Sequence, residues 1–290
     1  MISTRLRYHR PDTVEDAAQL LAAHAGDAAV IGGGTMVLPL MTRDEISVSH
    51  AVDLRGAGLT GIETSGEGVR IGSMVTYSDA LDSRLVALEL PLLSQMASVI
   101  TGGSQLRNQA TLGGAAAYAN PSSDVPGVLV ALEATFTVCG SAGRRSVAAA
   151  DFFVGAYSTA MEPGEVLEAF TIRPREGRYG YGKIKLSEGS WPIATASACL
   201  APTGPQGSVT VGAVEAVPFT VDISSAMDEA GQVDLSVVDA LVLDRVRQPW
   251  EDVLADGDYR RAIAGVVARR AVHSAQQRSI SNPTDKGSTP

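Results

Sequence analysis

The chain is short of residues that do chemistry by themselves. Its 290 residues include two cysteines, Cys139 and Cys199, and four histidines, His9, His24, His50 and His273. Two distant cysteines argue against a disulfide framework, a cysteine-rich zinc site or an iron–sulfur cluster. The histidines share no ligand spacing, so no metal site is expected. There is no Gly-x-Ser-x-Gly elbow, which removes one common nucleophile. Both cysteines lie in apolar surroundings and read as core residues. Positive charge is scarce: 23 Lys and Arg face 32 Asp and Glu, for a net charge of −9. That argues against a phosphate-backbone partner. No stretch approaches the run of about 18 apolar residues that spans a membrane. No apolar run follows Met1–Arg7, so no signal peptide is indicated. A cytoplasmic protein is the expectation.

Apolar residues make up 45% and charged residues 19%. That suits a soluble globular chain of two domains or one large one. The passage that organises it is Val30-Ile31-Gly32-Gly33-Gly34-Thr35-Met36, a strand end running into three glycines and a hydroxyl. Residues without Cβ leave bare N–H groups that can face an anion. A second passage, Ala110-Thr111-Leu112-Gly113-Gly114, has the same character. Neither has the Gly-x-Gly-x-x-Gly spacing of a dinucleotide fold, and no Walker lysine follows.

Asp12 or Thr13 caps a helix whose stripe is Val14, Ala17, Ala18 and Leu21. A strand over 28–31 leads into the glycines, and a short helix or turn begins at Leu38. Ala51–Leu54 reads as a strand. Residues 61–63 and 69–72 read as a hairpin. Helices are expected near Tyr77–Leu81, from Pro91 to Ile100, and over Val125–Leu132. Between them, Thr101–Asp124 reads as a long glycine-rich loop, a length that itself suggests a role. Beyond a boundary near Pro174–Gly180, the stretches 183–186, 193–200 and 208–214 read as an antiparallel sheet. Two closing helices follow, over 236–242 and from Asp258. Residues 279–290 read as a disordered tail.

The two glycine passages are either tight turns of an α+β protein or a diphosphate clasp. Thr35 and Thr111 supply hydroxyl donors in the second case. FAD and a nicotinamide dinucleotide both remain open at this point. Arg107 either neutralises phosphate or sits on the surface. Asp124 either caps a helix or accepts hydroxyl protons from a ribityl or ribose chain. Lys183 and Lys185 share one strand face, which by itself reads as solvated.

Several motifs together resemble the FAD-binding medium subunit of the molybdenum hydroxylases, the group of carbon monoxide dehydrogenase and the xanthine dehydrogenases. They are His9-Arg10-Pro11, Gly33-Gly34-Thr35-Met36 running into Leu38-Pro39-Leu40-Met41, and Gln105 to Gly114. Asn120 to Asp124, Asp151 to Phe153 and Glu162 to Glu165 complete the set. The resemblance spans about His9 to Ala275. It implies an α+β fold: a two-subdomain FAD-binding domain over 1–176 (about 1–55 and 56–176), then a C-terminal domain over 177–278 with an antiparallel sheet and helices. It implies FAD as cofactor, with Gly32, Gly33, Gly34, Thr35, Met36, Thr111, Gly113 and Gly114 around the diphosphate. By similarity, Asp124 lies near the sugar hydroxyls, and Leu167 and Lys183 lie near the flavin. No residue is implied as acid or base.

The implied partners are a large molybdenum–pterin subunit and a small 2Fe–2S subunit, in a dimer of heterotrimers. Electrons would pass from the clusters to FAD and on to an external acceptor. Two departures stand out: Ala115 follows the second glycine pair where the family often has Asn or Ser, and Leu186–Trp191 lacks the usual basic pair and aspartate. The alternatives are a free-standing FAD-dependent oxidoreductase and an assembly subunit that has lost FAD.

Overall fold

The computed structural model describes residue 2 and residues 5–278. The expected tail over 279–290 lies outside the described residues. Three larger sheets occupy three successive stretches of chain, a two-stranded one lies within the second stretch, and helices fill the spaces between them.

The first sheet is small and parallel. It contains β1 (Arg7–His9), β2 (Ala28–Ile31) and β3 (His50–Asp53), in the order β1-β3-β2. The crossover from β1 to β2 is helix α1 (Val14–Ala23). Thr13 starts that helix: its hydroxyl accepts the Asp16 N–H at 3.1 Å, a cap worth about 1 kcal/mol. Val14, Ala17, Ala18 and Leu21 recur at helical spacing and pack on Val52 and Leu54. After β2 come the three glycines and α2 (Val37–Thr42).

The second sheet is antiparallel, in the order β4-β5-β10-β6-β7. The hairpin β4 (Ile62–Ser65) and β5 (Gly68–Gly72) leads into helices α3 (Tyr77–Asp82), α4 (Arg84–Glu89) and α5 (Pro91–Ser98). Then come α6 (Gly103–Arg107), α7 (Leu112–Tyr118) and α8 (Asp124–Ala131). A second hairpin, β6 (Thr135–Gly140) and β7 (Gly143–Ala148), is followed by α9 (Ala149–Phe152) and the small pair β8 (Phe153–Gly155) and β9 (Ser158–Thr159). Strand β10 (Val166–Ile172) then returns to the centre between β5 and β6. Phe136, Phe152 and Phe170 are fully buried in this core, each worth about 1.5–3 kcal/mol of transfer free energy.

The third sheet runs in chain order: β11 (Arg178–Lys185), β12 (Pro192–Leu200), β13 (Gly207–Gly212) and β14 (Phe219–Asp222). Helices α10 (Leu235–Arg245) and α11 (Gly257–Gln276) contribute Val238, Val242, Val267 and Val272 to the core shared with this sheet. Arg260 on α11 is wholly buried. It donates to the Ile193 and Ala213 carbonyls at 2.5 and 2.6 Å and to the Asp252 carboxylate at 2.5 Å. Asp252 also accepts from the Ser122 hydroxyl at 2.9 Å, which ties this part of the chain to the segment before α8.

The structure corrects three expectations. Thr101–Asp124 is not a structureless loop: α6 and α7 lie within it, and the Thr111 hydroxyl caps α7 by accepting the Gly114 N–H. Strand β11 begins five residues before Lys183. Helix α4 and strand β14 were not expected; at six and four residues, both are too short to show a clear period.

Candidate functional site

A cleft of about 560 Å³ opens where the three sheets meet. Its floor is made by the two glycine passages, which the fold presses together. A Cβ on Gly33 would overlap the Gln109 carbonyl oxygen, and a Cβ on Gly113 would overlap Ser73. At these two positions the missing Cβ lets one backbone segment lie on another. The sequence reading gave both glycines to ligand approach; the structure adds that each also lets a neighbouring backbone segment pack against it. Gly34 has φ +72°, the left-handed turn that aims the chain into α2.

The two loops differ in the donors they offer. The N–H groups of Leu112, Gly113, Gly114 and Ala115 are bonded to Val75, Ser73 and Thr111. They are already spent, so the second loop is not an array of bare amides. The N–H groups of Gly33, Gly34, Thr35 and Met36 make no hydrogen bond among the described residues. These four amides belong to residues that line the cleft and are unspent donors, the kind that binds anions. The Ser73 hydroxyl, in the cleft wall, is buried and has no partner among the described residues. A buried unsatisfied hydroxyl costs about 1–3 kcal/mol, so it too points to a ligand.

All the sequence-predicted site residues except Lys183 line this cleft: Gly32 to Met36, Thr111, Gly113, Gly114, Asp124 and Leu167. Arg107 does not line it, although its neighbour Leu106 does. Lys183 lines a second, more open cleft of about 900 Å³ with Lys185 and Arg278. It reaches the first site through Asp124: its ammonium stands 3.1 Å from Asp124 Oδ1. The Tyr181 hydroxyl donates to the same oxygen at 2.6 Å. Ser123 caps α8, so Asp124 is its first residue and not its cap. Burial pushes the Asp124 carboxyl above its ordinary range, against the pull of Lys183 and Tyr181. Burial likewise pushes the Tyr181 phenol well up.

Sequence reasoning missed Ser73, Met74, Tyr77, the 100–102 turn, Glu165 and Trp191, all of which line the cleft. Glu165 is held by Arg145 at 2.7 Å, which lowers its carboxyl. Gly189 and Trp191 come from the segment that departs from the family pattern, so that departure reaches the site itself. Cys139 is buried, and burial raises its thiol. Burial pushes the Cys199 thiol to about 12. Neither is an activated nucleophile. Away from the cleft, His9, His24 and His50 come together although their spacing along the chain does not connect them.

The sequence matches the family described as the FAD binding domain in molybdopterin dehydrogenase over residues 4–174, more than half of the chain. The chain belongs to that family. It is an FAD-binding electron-transfer subunit of the molybdenum hydroxylase type. It is 33% identical to the carbon monoxide dehydrogenase medium chain of Afipia carboxidovorans, covering 96% of this chain and 99% of that one. It is 30% identical to the nicotine 6-hydroxylase medium subunit of Paenarthrobacter nicotinovorans, with 94% and 98% covered. A solved carbon monoxide dehydrogenase from Hydrogenophaga pseudoflava superposes with a TM-score of 0.87 at 31% identity, covering 95% of this chain and 99% of that one. Quinoline 2-oxidoreductase from Pseudomonas putida 86 follows at 0.84 and 29%, with 94% and 97% covered. The α+β architecture described above, an N-terminal FAD-binding part followed by a C-terminal antiparallel-sheet and helix domain, matches that of the family. Among the described residues, no helix is long and apolar enough to cross a membrane.

Proposed function

We propose that the 560 Å³ cleft holds FAD and that this chain relays electrons within a larger molybdenum hydroxylase. The observation that carries the reading is the set of free amides at Gly33, Gly34, Thr35 and Met36 beside the orphaned Ser73 hydroxyl. They fit a diphosphate held by neutral donors, which an acidic chain accommodates. The Thr35 and Thr111 hydroxyls add donors; Thr111 uses its oxygen as acceptor for Gly114 N–H and keeps its proton to give. Asp124 spends one oxygen on Lys183 and Tyr181 and offers the other to a sugar hydroxyl. Leu167, Met74 and Trp191 supply apolar surface for a ring. Bound there, FAD supplies the redox chemistry that these side chains lack. The protein's part is to bind, orient and tune, and no residue acts as acid or base. Lys183 acts through Asp124, setting the charge beside the site.

The electrons come from 2Fe–2S clusters on a small partner subunit, the substrate is oxidised on a large molybdenum–pterin subunit, and an external acceptor takes the electrons from this chain. The assembly is a dimer of such heterotrimers, in the cytoplasm. The near-complete, end-to-end coverage of the medium-chain relatives supports this arrangement, and two free thiols suit a reducing compartment. The free amides and Ser73 weigh against a subunit that has lost FAD.

The test is an absorbance spectrum of the purified chain, with the released flavin identified after denaturation. FAD is expected, or uptake of added FAD. The Gly33→Val and Gly113→Val variants, checked by circular dichroism, are expected to retain none. A colourless chain that refuses FAD, or unchanged FAD occupancy in both variants, overturns the reading.

A further inference from the structure

The first sheet carries a second site at the end away from the glycine loop. In the ladder, His9 pairs with Val52, and His50 lies two residues before Val52 on β3. Strand residues two apart share a face, so His9 and His50 stand on the side that α1 covers. His24 is the C-cap of α1 and closes over them. The three imidazoles are stacked: centroids lie 3.5 Å apart for His24 and His50 and 5.0 Å apart for His9 and His50. His9 Nε2 and His50 Nδ1 are 2.9 Å apart. One ligating nitrogen from each ring lies within 4.8 Å of the others.

Asp27 fixes the backbone around this cluster. Its N–H donates to the His24 carbonyl at 2.9 Å, and its carbonyl accepts the His50 N–H at 3.0 Å. Its carboxylate accepts the Ser49 N–H at 2.7 Å. One short turn therefore holds two of the three histidines and places a negative charge beside them. The C-terminus of α1 adds the negative end of its dipole. His50 is buried, while His9 and His24 are half-buried and open a path from solvent.

We propose that His9, His24 and His50 bind a borderline divalent transition-metal ion of the zinc class, with a fourth position left to water. Three neutral imidazoles are a ligand set for zinc, nickel or copper and a poor one for magnesium or calcium. With metal–nitrogen bonds of about 2.0–2.1 Å, ligand nitrogens in a tetrahedral site stand about 3.3 Å apart. The 2.9 Å pair opens by a few tenths of an ångström to reach that spacing, and the stacked rings turn about χ2. The site joins β1, the end of α1 and β3, so the ion clips the first sheet to its covering helix. It lies at the start of β2 and β3, whereas the glycine loop leaves the end of β2. The inference stands apart from the flavin reading.

The test uses the full chain without a purification tag, stripped with a chelator and titrated with Zn²⁺ against a chromophoric chelator, with Mg²⁺ as control. One equivalent of Zn²⁺ and no Mg²⁺ is expected, with a rise in thermal midpoint. His24→Ala and His24→Gln are expected to weaken Zn²⁺ by more than about tenfold while leaving the circular dichroism spectrum intact. X-ray absorption of the zinc-loaded wild-type chain should show three imidazole nitrogens at about 2.0–2.1 Å, which decides the matter even where a variant fails to fold. No Zn²⁺ uptake, uptake unchanged in both His24 variants, or an absorption spectrum without imidazole neighbours overturns the proposal. FAD content, measured in parallel, tells this site from the cleft.

Discussion

Lys183→Met isolates the most consequential charge beside the cleft. The Lys183 and Asp124 side chains are 8% and 2% exposed, with 3.1 Å between Nζ and Oδ1. At an effective dielectric of about 20, that separation gives an attraction of about 5 kcal/mol, offset by the desolvation of both groups. Removing the ammonium leaves a buried carboxylate with Tyr181 as its one side-chain donor, a change that typically costs about 3–5 kcal/mol. The pH sign follows from the raised Asp124 carboxyl. A carboxyl with a folded pKa above its unfolded value costs nothing at a pH below both. Its penalty grows as pH rises between the two values, by up to about 1.4 kcal/mol per unit. Without Lys183 the folded value rises further, so the deficit of the variant widens as pH rises above the ordinary carboxylate range. Urea unfolding of the flavin-free chain at two pH values measures this. Asp124→Asn in the Lys183→Met background, which accepts the Tyr181 hydroxyl without a charge, should recover most of the loss and flatten the pH dependence. A cost below about 1 kcal/mol, equal at both pH values and not rescued by Asn, would refute the reasoning.

Ser73→Ala should weaken FAD binding by roughly three- to tenfold, one hydrogen bond's worth, while leaving the flavin-free chain as stable or slightly more so, as equilibrium dialysis and thermal melts would show; unchanged affinity sinks the donor role. Trp191 fluorescence should be quenched when FAD is added, and Trp191→Phe should remove that signal; a silent Trp191 would take the 186–191 segment out of the site. Arg260→Met should lower stability by about 3–5 kcal/mol, because Asp252 loses its buried guanidinium and two carbonyls lose their donor; a urea midpoint within error of wild type would contradict that.

The sequence carried local order well. Local pattern revealed the strand at 28–31, the 61–72 hairpin and α1, because each is set by neighbours a few residues apart. It placed Gly32 to Met36 and Thr111 to Gly114 at one cleft, since glycines before a helix announce a turn. It did not reveal the second demand on Gly33, because the segment lying on it comes from Gln109 and Ala110. Spacing hid the histidine cluster for the same reason: His9 and His50 are 41 positions apart and meet through a parallel ladder. The 186–191 segment stood out as a departure, but Trp191 was not named as a site residue, since its place depends on how the third sheet sits against the first two. Lys183 fell beside the cleft, because β11 delivers it to Asp124 and to the more open groove next door.

The glycine floor has a consequence for how such a cleft can vary. Gly33 bears on Gln109 and Ala110, and Gly113 bears on Ser73. The segments around Gly33, Ala110 and Ser73 are therefore stacked without spare thickness. A side chain added at one level demands a retreat at the next, so the floor can change only by coordinated exchange. The rim is under no such constraint. The 186–191 turn is held mainly by its own Ser187, Glu188 and Ser190 contacts, with Leu186 largely in solvent. Substitutions in that turn can therefore change the rim of the cleft and leave its floor in place.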